Sequence, residues 1–196
     1  MSGAPLLLAA FRPELAGLDE TPPAGWQVAT AGIGAVVAAA GTARLLCDLR
    51  PARVLFLGTC GAYDERLAVG DLLLASAAIA TSLDEVEGRA YRPEAERVRF
   101  EATWRLPAPF PLHAVAVPPA ITRTAEGARR LAPLAAAEHL ELTGVFAACH
   151  DAGIPVAAAL AVANRVGPDA HAEWRASHAR VSRALAAALA PVLART

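Results

Sequence analysis

Lysine is absent from the chain, so apart from histidine every positive side chain is an arginine. Eighteen basic residues stand against 19 acidic ones for a net charge of −1, and no basic block occurs. That balance gives no electrostatic footprint for nucleic acid or for an anionic membrane. A small, neutral or mildly anionic ligand is the expected partner. Aromatic residues make up only 5% of the chain, while apolar residues make up 55%. The core must therefore be aliphatic and rich in alanine. Cysteine is sparse: Cys47, Cys60 and Cys149 form an odd set with no CxxC spacing, which excludes a disulfide framework. All three lie among apolar or small residues and are expected to be buried free thiols in a reducing compartment. The apolar segment from Pro5 to Phe11 is too short for a signal or membrane helix and lacks a basic flank, which makes the cytoplasm the expected location.

What is present is enough chain for one domain over residues 1–196, with no internal repeat or linker to divide it. Leu6 to Phe11 reads as a strand stopped by Arg12 and Pro13, leaving the Glu14 carboxylate just past its end. Trp26 to Ala31 reads as a second strand. Gly32-Ile33-Gly34 then opens a small-residue helix to about Leu49. The third glycine of a dinucleotide fingerprint is missing, since Val37 occupies its place, so the pair reads as a tight turn. Arg53 to Leu57 is a strand expected to end in a turn at Gly58-Thr59-Cys60-Gly61, whose backbone amides can point at a ligand oxygen. Val69-Gly70-Asp71 turns into a strand from Leu72 to Ala80. Residues Thr81 to Arg105 are charged and weakly periodic, and read as surface loop. His113 to Val117 is a strand, Thr122 or Thr124 is a candidate helix cap, and Ala170 to Leu193 reads as an amphipathic helix.

The chain is organised around Glu138 to Gly167. A strand end carrying His139, Leu140 and Glu141 leads into a helix to about Ala152, a turn at Gly153 and Pro155, and an apolar strand that stops at Asn164. In α/β sheets ligands collect outside the carboxyl ends of strands, and Glu141 and Asn164 both fall at that edge. On residue type alone Glu14 also reads as a helix-start carboxylate, Glu141 as an edge-strand charge and Asn164 as a turn residue. His150, His171 and His178 show no metal-ligand spacing.

Three patches carry a resemblance. Ala9-Ala10-Phe11-Arg12-Pro13-Glu14, Gly58-Thr59-Cys60-Gly61 followed by Val69-Gly70-Asp71, and Glu138-His139-Leu140-Glu141 resemble, in that order and spacing, the motifs of the nucleoside phosphorylase and nucleosidase superfamily. The interval from Glu141 to Asn164 is similar to that between the ribose-binding glutamate and the base-contacting carboxylate of its hydrolytic members. Val162-Ala163-Asn164-Arg165-Val166-Gly167-Pro168, with Trp174 soon after, looks most like the futalosine hydrolase family.

The resemblance implies a three-layer α/β/α fold with a central mixed sheet. It also implies cleavage of the N-glycosidic bond of a purine nucleoside, futalosine giving hypoxanthine and dehypoxanthine futalosine in menaquinone biosynthesis. Glu14 and Asn164 would be catalytic: Glu14 would polarise water, and the Asn164 amide would hold the departing purine. Glu141, Leu140, His139, Thr59 and Gly61 would bind substrate, and Arg12 or Arg165 would meet a substrate carboxylate. Phe56 stands where similar phosphorylases place a phosphate-binding arginine, which favours hydrolysis. No metal or organic cofactor is called for, and relatives imply a homo-oligomer, a dimer or larger. Methylthioadenosine/adenosylhomocysteine nucleosidases, purine nucleoside phosphorylases and a non-catalytic nucleoside-binding paralogue remain the alternatives. Ala163 in place of the usual Ser, and Leu142-Thr143-Gly144 in place of Gly-Ala-Ala, depart from the family pattern.

Overall fold

A computed structural model describes residues 3–195. Strand β3 (Val54–Ala62) is its axis, paired in parallel with β1 (Leu6–Ala9) on one side and β8 (Val156–Arg165) on the other. β2 (Gln27–Thr30) extends the sheet beyond β1. Strict alternation along these strands divides the core in two. Leu6, Leu8, Val54, Phe56, Val156, Ala158, Leu160 and Val162 belong to one buried cluster. Their neighbours Leu7, Leu55, Leu57, Ala157, Ala159, Ala161 and Ala163 belong to a second. Because successive side chains point to opposite faces, a sheet covered on both faces reads as an unbroken apolar run, as it does here.

The first face carries α2 (Ala35–Leu49) and α5 (Leu142–Asp151), and the second carries α6 (Ala170–Leu193) through Val181, Leu185, Leu189 and Leu193. All the odd-numbered residues of β8 from 157 to 163, on the α6 side, are alanine, which brings that helix close. Glycine does the same for α2 and α5: a Cβ at Gly144 would stand 2.0 Å from the Ala35 carbonyl oxygen, and one at Gly41 1.9 Å from that of Ala31.

The remaining strands curl the sheet. β4 (Leu72–Ala80) pairs antiparallel with β8 and parallel with β6 (Leu112–Val117). β6 pairs with the short β7 (Ala137–Glu138), which returns to β3 at Gly61 and Ala62. β3, β8, β4, β6 and β7 thus close a ring, with α4 (Ala125–Leu131) outside it and Thr124 as its cap.

Several sequence expectations change. The glycine turn at 58–61 is not a turn, because β3 runs straight through it with pairing on both sides. Its glycines are required for space rather than for φ: a Cβ at Gly58 would lie 2.8 Å from His139 Nε2, and one at Gly61 2.8 Å from Val166 Cγ2. β8 continues through Asn164 to Arg165, and β1 stops at Ala9. β7 ends at Glu138, so His139 to Glu141 form the link into α5 rather than a strand end. The stretch from Thr81 to Arg105 contains α3 (Leu83–Val86), capped by Ser82, and β5 (Arg99–Glu101), an antiparallel edge on β4. Cys60 and Cys149 are buried as expected, but Cys47 is exposed on the outer side of α2.

Candidate active site

The parallel strands β1, β3 and β8 end at a cavity of about 300 Å³. Of the candidates from the sequence, Glu14, Thr59, Gly61, His139, Leu140, Glu141 and Asn164 line it. Arg12 and Arg165 do not: Arg12 pairs with Asp19 at 2.6 Å, and Arg165 donates to the Asp64 carbonyl.

Glu14 sits in α1 (Arg12–Leu15), the single turn that Pro13 starts after β1, and is only 4% exposed. Its Oε1 accepts two hydrogen bonds from Thr59, from the backbone N–H at 2.8 Å and from the hydroxyl at 2.8 Å. Oε2 accepts no hydrogen bond of normal geometry among the described residues, although the Ala10 backbone N–H also acts on the carboxyl and favours its charged form. Burial drives the carboxyl pKa from its ordinary 4.5 up to about 7, with the Thr59 bonds pulling it back and the Glu141 charge adding to the rise. The Thr59 amide, expected to face a ligand, is therefore spent on Glu14. Thr59 Oγ1 in turn accepts from the Trp174 indole at 3.0 Å.

Glu141 ends the link after β7 and begins α5. Gly34, with φ of +86° at the head of α2, donates its N–H to Glu141 Oε1 at 2.8 Å. A helix N-terminus is a favourable place for a carboxylate, and the glycine pair read from sequence as a tight turn is what brings the two together. His139 is buried against the edge of Phe56, ring centres 5.4 Å apart. Burial lowers its pKa, only partly offset by Glu141, so the ring is neutral. Its Nδ1 lies 3.1 Å from the Glu141 N–H and 3.3 Å from Glu141 Oε2. One nitrogen cannot accept from the first and donate to the second. The backbone N–H can only donate, which makes Nδ1 the acceptor and puts the proton on Nε2.

Glu138 is also buried at the cavity wall, but both its oxygens are used, on the Tyr63 hydroxyl at 2.9 Å and the Thr122 N–H at 2.9 Å. It holds β7 in place, and burial with the Glu138 charge pushes the Tyr63 pKa up.

Asn164 owes its position to an irregularity: Cys60 is in register with Val162 and Gly61 with Asn164, so Ala163 is a bulge. Bulges re-aim side chains beside sites, and here the carboxamide comes to lie where a Cβ at Gly61 would be 2.9 Å from Nδ2. Nδ2 donates to the Arg165 carbonyl at 2.9 Å. α6 fixes the bulge: the Ser177 hydroxyl donates to the Ala163 carbonyl, and the Arg165 N–H donates to Glu173 at 2.7 Å.

Sequence reasoning missed the apolar wall. Phe11, Ile33, Ile121, His171 and Trp174 complete the cavity, and no residue from 81 to 110 contributes. Trp174 enters the sequence reading as part of the family motif, within the helix from Ala170 to Leu193, and not as a wall of the cavity. The available signal was its company, because His171 and His178 stand three before and four after it, and both rings stack on the indole at 6.1 and 4.2 Å.

Among the described residues no helix is long and apolar enough to cross a membrane. A family model for the phosphorylase superfamily matches residues 27–139. The chain is similar to a futalosine hydrolase of Streptomyces coelicolor (strain ATCC BAA-471 / A3(2) / M145), with 34% identity over 190 residues that cover 87% of this chain and 81% of that protein. Among solved structures, a futalosine hydrolase mutant of Helicobacter pylori strain 26695 superposes with a TM-score of 0.86 at 19% identity, over 99% of this chain and 100% of that one. The 5'-methylthioadenosine/S-adenosylhomocysteine nucleosidase from Helicobacter pylori, in complex with butyl-thio-DADMe-Immucillin-A, gives 0.86 at 18% identity over 100% of both chains. At those identities the structures share the fold, while the family model and the curated relative carry membership: the chain belongs to the phosphorylase superfamily.

Proposed function

We propose that the protein hydrolyses the N-glycosidic bond of futalosine, releasing hypoxanthine and leaving dehypoxanthine futalosine, a step of menaquinone biosynthesis. The observation that carries this reading is Glu14: a buried carboxyl with a pKa of about 7, one oxygen committed to Thr59 and the other accepting no hydrogen bond of normal geometry among the described residues, in the same cavity as Glu141 and Asn164. A general base works best when its pKa lies near the working pH.

Glu14 takes a proton from water as the water oxygen bonds to the anomeric carbon. The C–N bond breaks through an oxocarbenium-like transition state, its electron pair leaves with the purine, and the purine anion takes a proton from solvent while Glu14 gives its proton up to solvent. Glu141, held by Gly34, accepts hydrogen bonds from the ribose hydroxyls and stabilises the cationic sugar. The Asn164 amide holds the purine. It cannot supply a proton as an aspartic acid can, but with a donor and an acceptor it suits a 6-oxopurine. His139, Leu140, Thr59 and Gly61 complete the contacts to the nucleoside. Phe56, fully buried in the core, offers nothing to a phosphate, in keeping with hydrolysis. The 34% identity to a futalosine hydrolase supports the substrate. The same reading places the protein in the cytoplasm as a dimer or larger homo-oligomer, in keeping with its three unpaired cysteines.

The test is base release, followed by chromatography, from futalosine, inosine, adenosine and methylthioadenosine, with and without phosphate, by the native chain and by Glu14→Gln. Phosphate-independent release of hypoxanthine from futalosine, lost in the variant, is the expected result. Release from methylthioadenosine alone moves the protein to the other nucleosidase branch, and release that needs phosphate overturns hydrolysis.

A further inference from the structure

Glu14 ends a chain of hydrogen bonds whose direction is set at the other end. An indole N–H can only donate, and that of Trp174 reaches Thr59 Oγ1 at 3.0 Å. The same Oγ1 is 2.8 Å from Glu14 Oε1. A hydroxyl has one proton and turns to suit its surroundings. With the indole donating to it, that proton is directed at the carboxylate.

We propose that Trp174 is a positioning residue for the Glu14 base: by donating to Thr59 Oγ1 it turns the threonine proton onto Glu14 Oε1, which leaves Oε2 as the oxygen that takes the proton of the attacking water. This rests on the reading of Glu14 as that base. Donation into a hydroxyl also strengthens the bond the hydroxyl makes onward. Trp174 is itself held in place. The His178 ring lies 4.2 Å away at 13° to the indole, and its Nδ1 is 3.0 Å from the Trp174 carbonyl oxygen, which can only accept. Phe11 closes the side toward α1 at 6.2 Å. α6 is pinned to the end of β8 by Ser177 and Glu173, so the indole is in register with the same bulge that aims Asn164.

Other titratable groups line this cavity, and none replaces the indole as the donor to Thr59. Glu141 adds its charge to Glu14, and the Cys60 thiol is pushed up by burial and by Glu14. His139 is neutral, Glu138 is spent on Tyr63 and Thr122, and His171 stacks on the indole.

The test is the pH dependence of kcat/KM for base release in Trp174→Phe, Thr59→Val, Thr59→Ser and the combinations with Trp174→Phe. A parallel readout is the titration of the Glu14 carboxyl by carbon-13 NMR. Trp174→Phe is expected to move the acid limb, and the Glu14 titration with it, upward by about 0.5–1 pH unit, as a weakened hydrogen bond to a carboxylate does. The shift should persist with Thr59→Ser and vanish with Thr59→Val, where no hydroxyl is left to orient. A change in KM alone would reflect only the indole's place in the cavity wall. A Glu14 titration that is the same with and without the indole, or that shifts equally in the Thr59→Val background, overturns the proposal. Undiminished base release by Glu14→Gln overturns the reading of Glu14 as the base instead, and the NMR titration tells the two failures apart.

Discussion

Replacing Glu14 by Gln should shift stability toward the variant as pH rises. The folded carboxyl holds its proton to about pH 7, whereas the unfolded one releases it near 4.5. Between those values the unfolded state binds fewer protons, so native stability falls as pH rises through the window and the loss is complete above it. At about 1.4 kcal/mol per pH unit, the difference between 4.5 and about 7 amounts to about 3 kcal/mol. Glutamine keeps an oxygen for the Thr59 N–H and hydroxyl and does not titrate. Its own N–H groups at the Oε2 position add a cost that is the same at every pH. The quantity to measure is therefore the gap in Tm between variant and native chain, by calorimetry at about pH 4 and about pH 8.5. For a chain of this length, about 3 kcal/mol corresponds to a widening of the gap by about 6–12 °C. A gap that stays constant would refute the claim that an ionised Glu14 is buried at a cost.

Asn164→Asp should raise release of 6-aminopurines relative to hypoxanthine, because the acid can protonate the leaving base, and side-by-side chromatography of adenosine and futalosine reactions reads the ratio. Glu141→Gln keeps an acceptor for the Gly34 N–H, so Tm should hold while kcat/KM falls by about 10²–10³, the size expected for losing a charge that acts on the transition state. Gly61→Ala places a methyl 2.8 Å from Val166 Cγ2 and 2.9 Å from Asn164 Nδ2. A loss of about 1–3 kcal/mol in chemical denaturation is expected from such overpacking, together with reduced base release from a displaced Asn164.

The elements that carry the site were legible where a local rule was strong. Pro13 announced the break after β1, although β1 itself stops earlier at Ala9, and the apolar run after Pro155 announced β8, since a strand covered on both faces leaves no other pattern. Glu14, Glu141 and Asn164 stood out near strand and helix ends, the resemblance to the superfamily supplied their expected roles, and the structure gathers them in one cavity. What stayed hidden depends on contacts distant in sequence. Nothing local distinguishes glycines in a turn from glycines that make room for His139 and Asn164, so 58–61 was misread. The strand before α5 was expected, but not its end: β7 stops at Glu138 because only Ala137 and Glu138 pair with β3 and β6. Cys47 was misplaced because α2 buries only one face, and alanine on the outer face looks the same as alanine within.

β8 comes after β3 to β7 in sequence and yet lies between β3 and β4. During synthesis, β3 and β4 must wait with apolar edges exposed until residue 165 emerges, and long-range pairing of this kind is slow to form and open to aggregation. The same strand delivers Asn164 and, through Ala163, the anchor for α6. Completion of the sheet and assembly of the candidate cavity are therefore one event, and a nascent chain acquires that cavity only when β8 arrives.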